Sequence, residues 1–190
     1  PRDLPLQAVK CLLDCKQSAD LYLYLEDDII LNDPYYVDKQ WWFIQRTEHQ
    51  YILMPHRKEP TVVHSPIQLF VDGPIKPLDQ NDPVWASDEQ KIAQGRFWDG
   101  QMVSFVKASN PHSGSFCVSA KQLSKIRLNS WPPQDFIGPL ETAATGTVIN
   151  DFDVLKPAWL NRYFLSVEHG NPSFLSTLDT LPCRTAPAKE

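Results

Sequence analysis

The beginning of the chain combines a helical pattern with a strand pattern. Within residues 6–18, apolar residues occupy positions 8, 9, 12 and 13, which is the spacing of one helix face. Residues 21–25 then alternate leucine with tyrosine, a pattern that predicts a strand covered on both faces. That strand ends abruptly in three acids at 26–28. A helix leading into a buried strand predicts an α/β fold, with the acids at the carboxyl end of the sheet.

The rest of the chain continues this mixture of short strands and helices. The patterns predict helices at 35–43, 120–126 and 139–149, and strands at 51–54, 61–64, 67–71, 101–107, 115–119 and 154–157. Residues 55–60 predict a turn, whose His56, Arg57 and Lys58 would form a small basic surface that is either solvated or faces an acidic acceptor or a phosphate. The proline-containing stretch 72–88 predicts a long surface loop.

Composition narrows the classes of partner. The 190 residues carry 18 Lys+Arg and 23 Asp+Glu, a net charge of −5, with no basic run suited to a phosphate backbone, so we expect no nucleic acid partner. No apolar stretch approaches the roughly 20 residues that a membrane span needs. The four cysteines do not form paired C-x-x-C motifs, which argues against structural zinc. Cys11 and Cys15 fit either a disulfide or two packed thiols, so the compartment stays open.

The triplet Glu26-Asp27-Asp28 carries the strongest chemical signal. Adjacent carboxylates repel one another and are costly to desolvate, so at a strand end they need a cation or several hydrogen-bond donors. A divalent ion such as Mg²⁺ or Mn²⁺ meets that need, because these ions bind one or two carboxylates together with phosphate oxygens. The alternative is a solvated acidic turn in which Glu26 caps local backbone.

Residues 22–29, Tyr-Leu-Tyr-Leu-Glu-Asp-Asp-Ile, resemble the D-x-D-type strand end of metal-dependent glycosyltransferases of the GT-A fold, whose motif reads L-E-D-D-I or L-E-D-D-V. Arg2, Asp3 and the following helix resemble the segment that precedes this strand in those enzymes. The resemblance implies a GT-A-like, Rossmann-related mixed sheet flanked by helices. It also implies that Asp28 binds the metal and that Glu26 and Asp27 contact the nucleotide-sugar donor.

Three later positions resemble further landmarks of the family. Residues 112–119 are similar to the strand that lines the sugar pocket, where Gly114 would let a ligand approach the backbone. Glu141 lies where inverting enzymes place the general base, with Asp135 as a rival acid, and His169 matches the late histidine that binds the metal. Taken alone, each has a simpler explanation: a turn glycine, an acid favoured by a helix dipole, and a solvated loop histidine.

The resemblance implies a glycosyltransferase domain at residues 1–175 and a loosely ordered tail at 176–190. Such an enzyme moves a sugar from a nucleotide-sugar to a hydroxyl of a glycan, glycoprotein or glycolipid, with Mn²⁺ or Mg²⁺, in either the cytoplasm or the Golgi lumen. Since 25 residues precede the triplet, we expect the first nucleotide-binding strands of the fold to be missing from this chain. Two alternatives remain: a non-catalytic carbohydrate-binding or scaffolding domain, and a metal-dependent hydrolase that uses Asp151 and Asp153.

Overall fold

The computed structural model describes residues 4–60, 68–71, 90–108, 110–129, 131–133 and 138–171. Its helices are α1 (Leu4–Asp14), α2 (Tyr36–Arg46), α3 (Ala120–Asn129), α4 (Pro139–Glu141) and α5 (Thr147–Ile149). A π-helix, Thr142–Gly146, joins α4 to α5, and a 3-10 turn spans Trp159–Asn161. The strands are β1 (Leu21–Leu25), β2 (Ile29–Ile30), β3 (Tyr51–Leu53), β4 (His56–Pro60), β5 (Gln68–Phe70), β6 (Lys91–Arg96), β7 (Met102–Lys107), β8 (Ser115–Ser119), β9 (Asp153–Pro157) and β10 (Ser166–His169).

The described strands form three sheets flanked by helices. β1 pairs with β8 in an antiparallel ribbon, from Leu21 opposite Ser119 to Leu25 opposite Ser115. A second sheet has the order β2-β10-β4-β5, and a third has the order β3-β9-β7-β6. The β10–β4 and β3–β9 pairs are parallel, and the others are antiparallel. The expected mixed α/β class with helices beside mixed sheets is therefore confirmed.

Two apolar clusters hold these layers together. The first contains Val9 and Leu13 of α1, Phe116 of β8 and Leu123 of α3, so it binds the β1–β8 ribbon to the helices. Tyr24 stacks on Phe116 there, with ring centroids 5.4 Å apart. The second cluster joins α2 to the other two sheets through Phe43, Phe105, Leu155, Phe164 and Val167. Burying each such side chain stabilises the fold by about 1.5–3 kcal/mol.

Several predicted elements coincide with the structure. β1 and β8 have the predicted bounds, and the helical segment from α4 to α5 begins at Pro139 and ends at Ile149 as expected. β1 is less enclosed than predicted, since only Tyr24 is fully buried and its other residues are half-buried. The predictions for 61–64, for the whole 72–88 loop and for the 176–190 tail lie outside the described residues.

Two predictions near the site were wrong. The expected turn at 55–60 is strand β4 from His56 onward, and His169 ends strand β10 instead of lying in a loop. His56, Arg57 and Glu59 are at most 9% exposed, so no solvated basic turn exists at Arg57. The sequence did not predict β4 because its buried residues are polar. An alternation of hydrophobic residues identifies only strands that bury an apolar face.

The structure also contains a strand that the sequence analysis did not predict. β6 pairs with β7 as a hairpin, from Lys91 opposite Val106 to Arg96 opposite Met102. Most of its residues are exposed, with Gly95 the one fully buried position. An alanine Cβ at Gly95 would lie 2.8 Å from Trp42, so the glycine lets α2 pack closely on the hairpin.

The described part of the chain has no helix with the length and apolar character needed to cross a membrane.

Candidate functional site

The acidic triplet forms the connection between β1 and β2, and its backbone is tied to two other strands. The Glu26 amide donates to the Gly114 carbonyl at 2.8 Å, just before β8 begins. The Gly170 amide donates to the Asp28 carbonyl at 2.6 Å, just after β10 ends. The Ile29 amide closes the turn by donating to the Glu26 carbonyl at 3.1 Å. Strand ends far apart in sequence thus fix the direction of the three carboxylates.

Gly114 is required by the backbone and by its neighbours. Its φ of +64° lies in the left-handed region, which L side chains rarely adopt. A Cβ there would lie 2.7 Å from Cδ1 of Ile29 and 3.0 Å from Oε2 of Glu26. The space left by the missing side chain therefore accommodates Ile29 and the Glu26 carboxylate.

Glu26 is the buried member of the triplet. Its side chain is 5% exposed, and within the described part of the chain Oε1 has no hydrogen-bond partner. Burial raises the pKa of Glu26 to about 7; the nearby charge of Arg57 lowers it, while Asp28, Glu141 and Asp27 raise it. A carboxylate in this state is short of a donor or a cation.

His112 lies beside Glu26, with 4.0 Å between His112 Nε2 and Glu26 Oε1. Its ring is fixed by a 3.2 Å hydrogen bond between Nδ1 and Thr145 Oγ1, from the buried π-helix. Lys156 of β9 donates to the His112 carbonyl at 3.0 Å. The sequence analysis gave His112 no role, although it opens the segment that contains Gly114.

Asp28 and His169 meet at the edge of the second sheet. His169 pairs with Ile29 across β10 and β2, which brings its Nε2 to 3.2 Å from Asp28 Oδ2. Asp28 is 33% exposed on its side chain and His169 is 9% exposed, so the pair is reachable from one side. On the other side, His169 Nδ1 lies 2.8 Å from Oε1 of Glu59. The two residues that the resemblance implies as metal ligands therefore lie next to each other.

The remaining expected residues differ in what the structure says of them. Glu141 is half-buried at the end of α4 and close enough to Glu26 to raise its pKa. Asp27 is exposed, and Asp135 lies outside the described residues. Asp153, considered for a hydrolase, lies at the start of β9 and forms an ion pair with Lys107 at 2.7 Å. Lys156, three residues later on β9, donates to the His112 carbonyl and so marks the part of the strand that is near the site. Asp153 therefore lies about 10 Å along the strand from that point.

A cavity of about 310 Å³ opens beside the acids. Its walls come from the first turns of α1, from the end of β1 with the first two acids, and from α4: Leu4, Pro5, Ala8, Tyr24, Leu25, Glu26, Asp27 and Leu140. The cavity is apolar on most sides and acidic on one. Such a lining suits a small ligand that has one apolar face and several hydroxyls.

The metal-ligating potential of the site rests on two residues. Within the described ranges, no group of three or more His, Cys, Asp and Glu side chains is arranged to hold a metal ion. Asp28 and His169 offer one carboxylate oxygen and one imidazole nitrogen 3.2 Å apart. Adjacent ligands of an octahedral Mg²⁺, each about 2.1 Å from the ion, lie about 3 Å apart, so this pair fits one edge of an octahedron.

Sequence reasoning missed two buried charged residues on β4. Arg57 and Glu59 alternate along one face of this strand and are 7% and 0% exposed. A polar alternation, with charges two residues apart inside a sheet, is the signal that could have identified them.

Comparisons of the chain with protein-family models, with curated proteins and with solved structures found no match.

Proposed function

We propose that this protein is a metal-dependent glycosyltransferase that moves a sugar from a nucleotide-sugar donor to an acceptor hydroxyl. The observation that carries the proposal is the meeting of Asp28 and His169, with 3.2 Å between Oδ2 and Nε2, in the same triplet as Glu26, whose buried Oε1 has no hydrogen-bond partner among the described residues. The resemblance of residues 22–29 to the GT-A strand end selects this reaction among the metal-dependent ones.

Asp28 and His169 would hold Mn²⁺ or Mg²⁺. Two protein ligands leave most of the coordination sphere to water and to diphosphate oxygens, which is how these ions bind in phosphate-dependent enzymes. A bound ion would neutralise the charge that develops on the departing nucleoside diphosphate. The 33% exposure of Asp28 leaves room for those phosphate oxygens.

Glu26 and Asp27 would bind the donor. A hydroxyl that reaches Oε1 of Glu26 would supply the hydrogen bond that this atom lacks among the described residues, and such an unmade bond typically costs about 1–3 kcal/mol. Glu26 and Asp27 both line the adjoining cavity of about 310 Å³, whose other walls are mostly apolar. A ligand with neighbouring hydroxyls, such as a ribose or a hexose, matches both features.

Glu141 would act as the general base that takes the proton from the acceptor hydroxyl. It lies at the end of α4, near Glu26 and next to Leu140 of the cavity wall. Asp135 is the other acid that the resemblance offers for this step. The electrostatic proximity of Glu141 to Glu26 supports this assignment, because a general base must lie within hydrogen-bond reach of the proton that it takes.

Two substitutions test binding and turnover separately. Asp28→Asn should abolish Mn²⁺-dependent binding of UDP-, GDP- or CMP-sugars, measured by titration calorimetry with and without EDTA. Glu141→Gln should retain donor binding and lower kcat by about 10²–10⁴-fold. Asp38→Asn, which changes an exposed acid on α2, is the matched control. Unchanged Mn²⁺-dependent binding in Asp28→Asn would refute the metal assignment.

A non-catalytic carbohydrate-binding domain is the second candidate. It is favoured by the two-residue ligand set, since the described residues do not assemble a third metal-binding side chain at the site. In that case Glu141→Gln would leave sugar binding unchanged, and the wild-type protein would bind sugar without consuming donor.

A further inference from the structure

The geometry points to Glu59 as the residue that orients His169 for the metal, a positioning role that rests on the proposed function. Glu59 Oε1 lies 2.8 Å from His169 Nδ1, and Glu59 is fully buried. No part of the sequence analysis singled out this residue. In this role Glu59 determines which ring nitrogen of His169 carries a proton and where the other nitrogen points.

The sheet register places the two residues side by side. β4 and β10 run parallel, with Arg57 opposite Val167 and Lys58 opposite Glu168. One step farther along the two strands come Glu59 and His169. Alternation along a strand puts Glu59 on the same face as Arg57, and His169 on the same face as Val167, so both side chains point towards the triplet. The contact is therefore a consequence of backbone pairing.

The chemistry of the contact sets the direction of the hydrogen bond. When Glu59 is ionised its carboxylate can only accept, so in that state the proton of this bond belongs to Nδ1 of His169. Neutral imidazole has a single N–H, and Nε2 is then left with its lone pair towards Asp28 Oδ2, 3.2 Å away. Two acceptors that face each other at this distance suit a cation between them.

Without Glu59, His169 would prefer the other tautomer of its neutral ring. Its proton would move to Nε2, because Asp28 Oδ2 is then the carboxylate within reach. A protonated Nε2 cannot bind a metal. Glu59 thus selects the tautomer that binds, in the way that carboxylates behind metal-binding histidines do, and the loss of such partners typically lowers metal affinity 10–100-fold.

The first test reads the tautomer in the metal-free protein. Long-range ¹H–¹⁵N correlation spectra of the wild type at pH 8 should show a protonated Nδ1 at His169. Glu59→Gln should keep it, since the amide oxygen can still accept, whereas Glu59→Leu should move the proton to Nε2. An unprotonated Nδ1 in the wild type would overturn the inference, whether or not any variant folds.

The second test measures Mn²⁺ affinity by electron paramagnetic resonance in a double-mutant cycle. Glu59→Leu should weaken Mn²⁺ binding about 10–100-fold, and Glu59→Gln should weaken it less. Adding Glu59→Leu or Glu59→Gln to His169→Ala should cause no further loss of Mn²⁺ affinity, because the proposed effect of Glu59 on the metal passes through the His169 ring. Glu168→Gln is the matched control, since Glu168 lies on the other face of β10 and accepts from Asn32.

The outcomes separate this inference from the proposed function. Equal losses from Glu59→Leu in the wild-type and His169→Ala backgrounds would show a general structural role and overturn the inference. If His169→Ala binds Mn²⁺ as tightly as the wild type, the metal site itself is wrong, while the tautomer spectra still decide what Glu59 does. If His169→Ala loses Mn²⁺ and Nδ1 is unprotonated, the proposed function stands without a role for Glu59.

Discussion

The ribbon of β1 and β8 has buried polar residues at both of its ends. At one end, next to Leu21, lie Ser119 and Gln122; at the other, next to Leu25, lie Glu26 and Gly114. The two ends belong to the same pair of strands and are similarly shielded from water. They differ in how completely their polar atoms are hydrogen-bonded.

At the Ser119 end, the polar groups bond to one another. The Ser119 Oγ accepts from the Gln122 amide, and Gln122 Oε1 accepts from the Ser119 amide, a reciprocal cap for the start of α3. Gln122 Nε2 also donates to the carbonyls of His49 and Tyr51. His49, held at a φ of +63°, completes the set through a 2.8 Å bond between its Nδ1 and Ser119 Oγ.

At the Glu26 end, the backbone is bonded but the carboxylate is not. The Glu26 amide donates to the Gly114 carbonyl, yet no described residue hydrogen-bonds to Oε1, and burial raises the pKa of this carboxyl group. A fold optimised for stability alone would place an apolar or neutral residue here. The Ser119 end therefore stabilises the fold through its own hydrogen bonds, whereas under the proposed function the Glu26 end would gain its missing hydrogen bond from the donor.

Gly114→Ala should produce the largest loss of stability at the ligand end. The new Cβ would meet Ile29 at 2.7 Å and Glu26 at 3.0 Å, in a left-handed backbone conformation, so we expect a loss of about 3 kcal/mol in the free energy of unfolding. Gly100→Ala is the matched control, because φ is +90° there and no atom lies within 4 Å of the new Cβ. Urea denaturation should show a cost of about 1–2 kcal/mol for the control, from backbone strain alone. Equal losses in the two variants would mean that the contacts of Gly114 contribute nothing.

Gln122→Ala should lower the free energy of unfolding by removing hydrogen bonds at the Ser119 end of the ribbon. It removes the reciprocal cap and leaves the carbonyls of His49 and Tyr51 without this donor, so we expect a loss of about 2 kcal/mol. Activity should stay at the wild-type level under conditions where the variant is folded. Ser124→Ala, on the exposed face of α3, is the control and should cost less than about 0.5 kcal/mol. A variant that loses donor binding while folded would contradict the separation of the two ends.

The parts of the molecule that the sequence predicted are those governed by local pattern. β1 and β8 alternate or concentrate apolar residues, and Pro139 marks the first residue of α4, so their bounds were predictable. The closeness of Asp28 and His169 was expected only from the resemblance. Pairing between strands distant in sequence decides it, and no local pattern carries that information.

The charged face of β4 could not be predicted, because its burial depends on tertiary structure. Arg57 and Glu59 are surface residues by type, and only the pairing of β4 with β10 and β5 encloses them. The same holds for His112, whose position beside Glu26 depends on a π-helix that no sequence pattern indicated. The unpredicted residues of the candidate site are thus the buried polar ones.

Glu26→Gln should stabilise the protein in a pH-dependent way, so the size of this effect depends on the conditions of measurement. The folded-state pKa of about 7 lies above the ordinary 4.5, so the favourable protonated form is fully present below about pH 4.5 and is lost as pH rises through 7. At about 1.4 kcal/mol per pKa unit this shift, which already includes the attraction to Arg57, limits the gain at pH 8 to about 3 kcal/mol.

The pH dependence distinguishes this gain from a general improvement in packing. Glutamine imitates the neutral carboxyl, so Glu26→Gln and the wild type should have nearly equal free energies of unfolding at pH 4.5 and diverge up to about pH 8. Glu168→Gln, at a half-buried glutamate that accepts from Asn32, should show no such gain. Lower stability of Glu26→Gln at pH 8 would mean that the Glu26 carboxylate is already well stabilised in the free protein, and the contrast between the two ends of the ribbon would fail. A gain in stability accompanied by loss of donor binding would instead show that the buried charge destabilises the fold and serves the ligand.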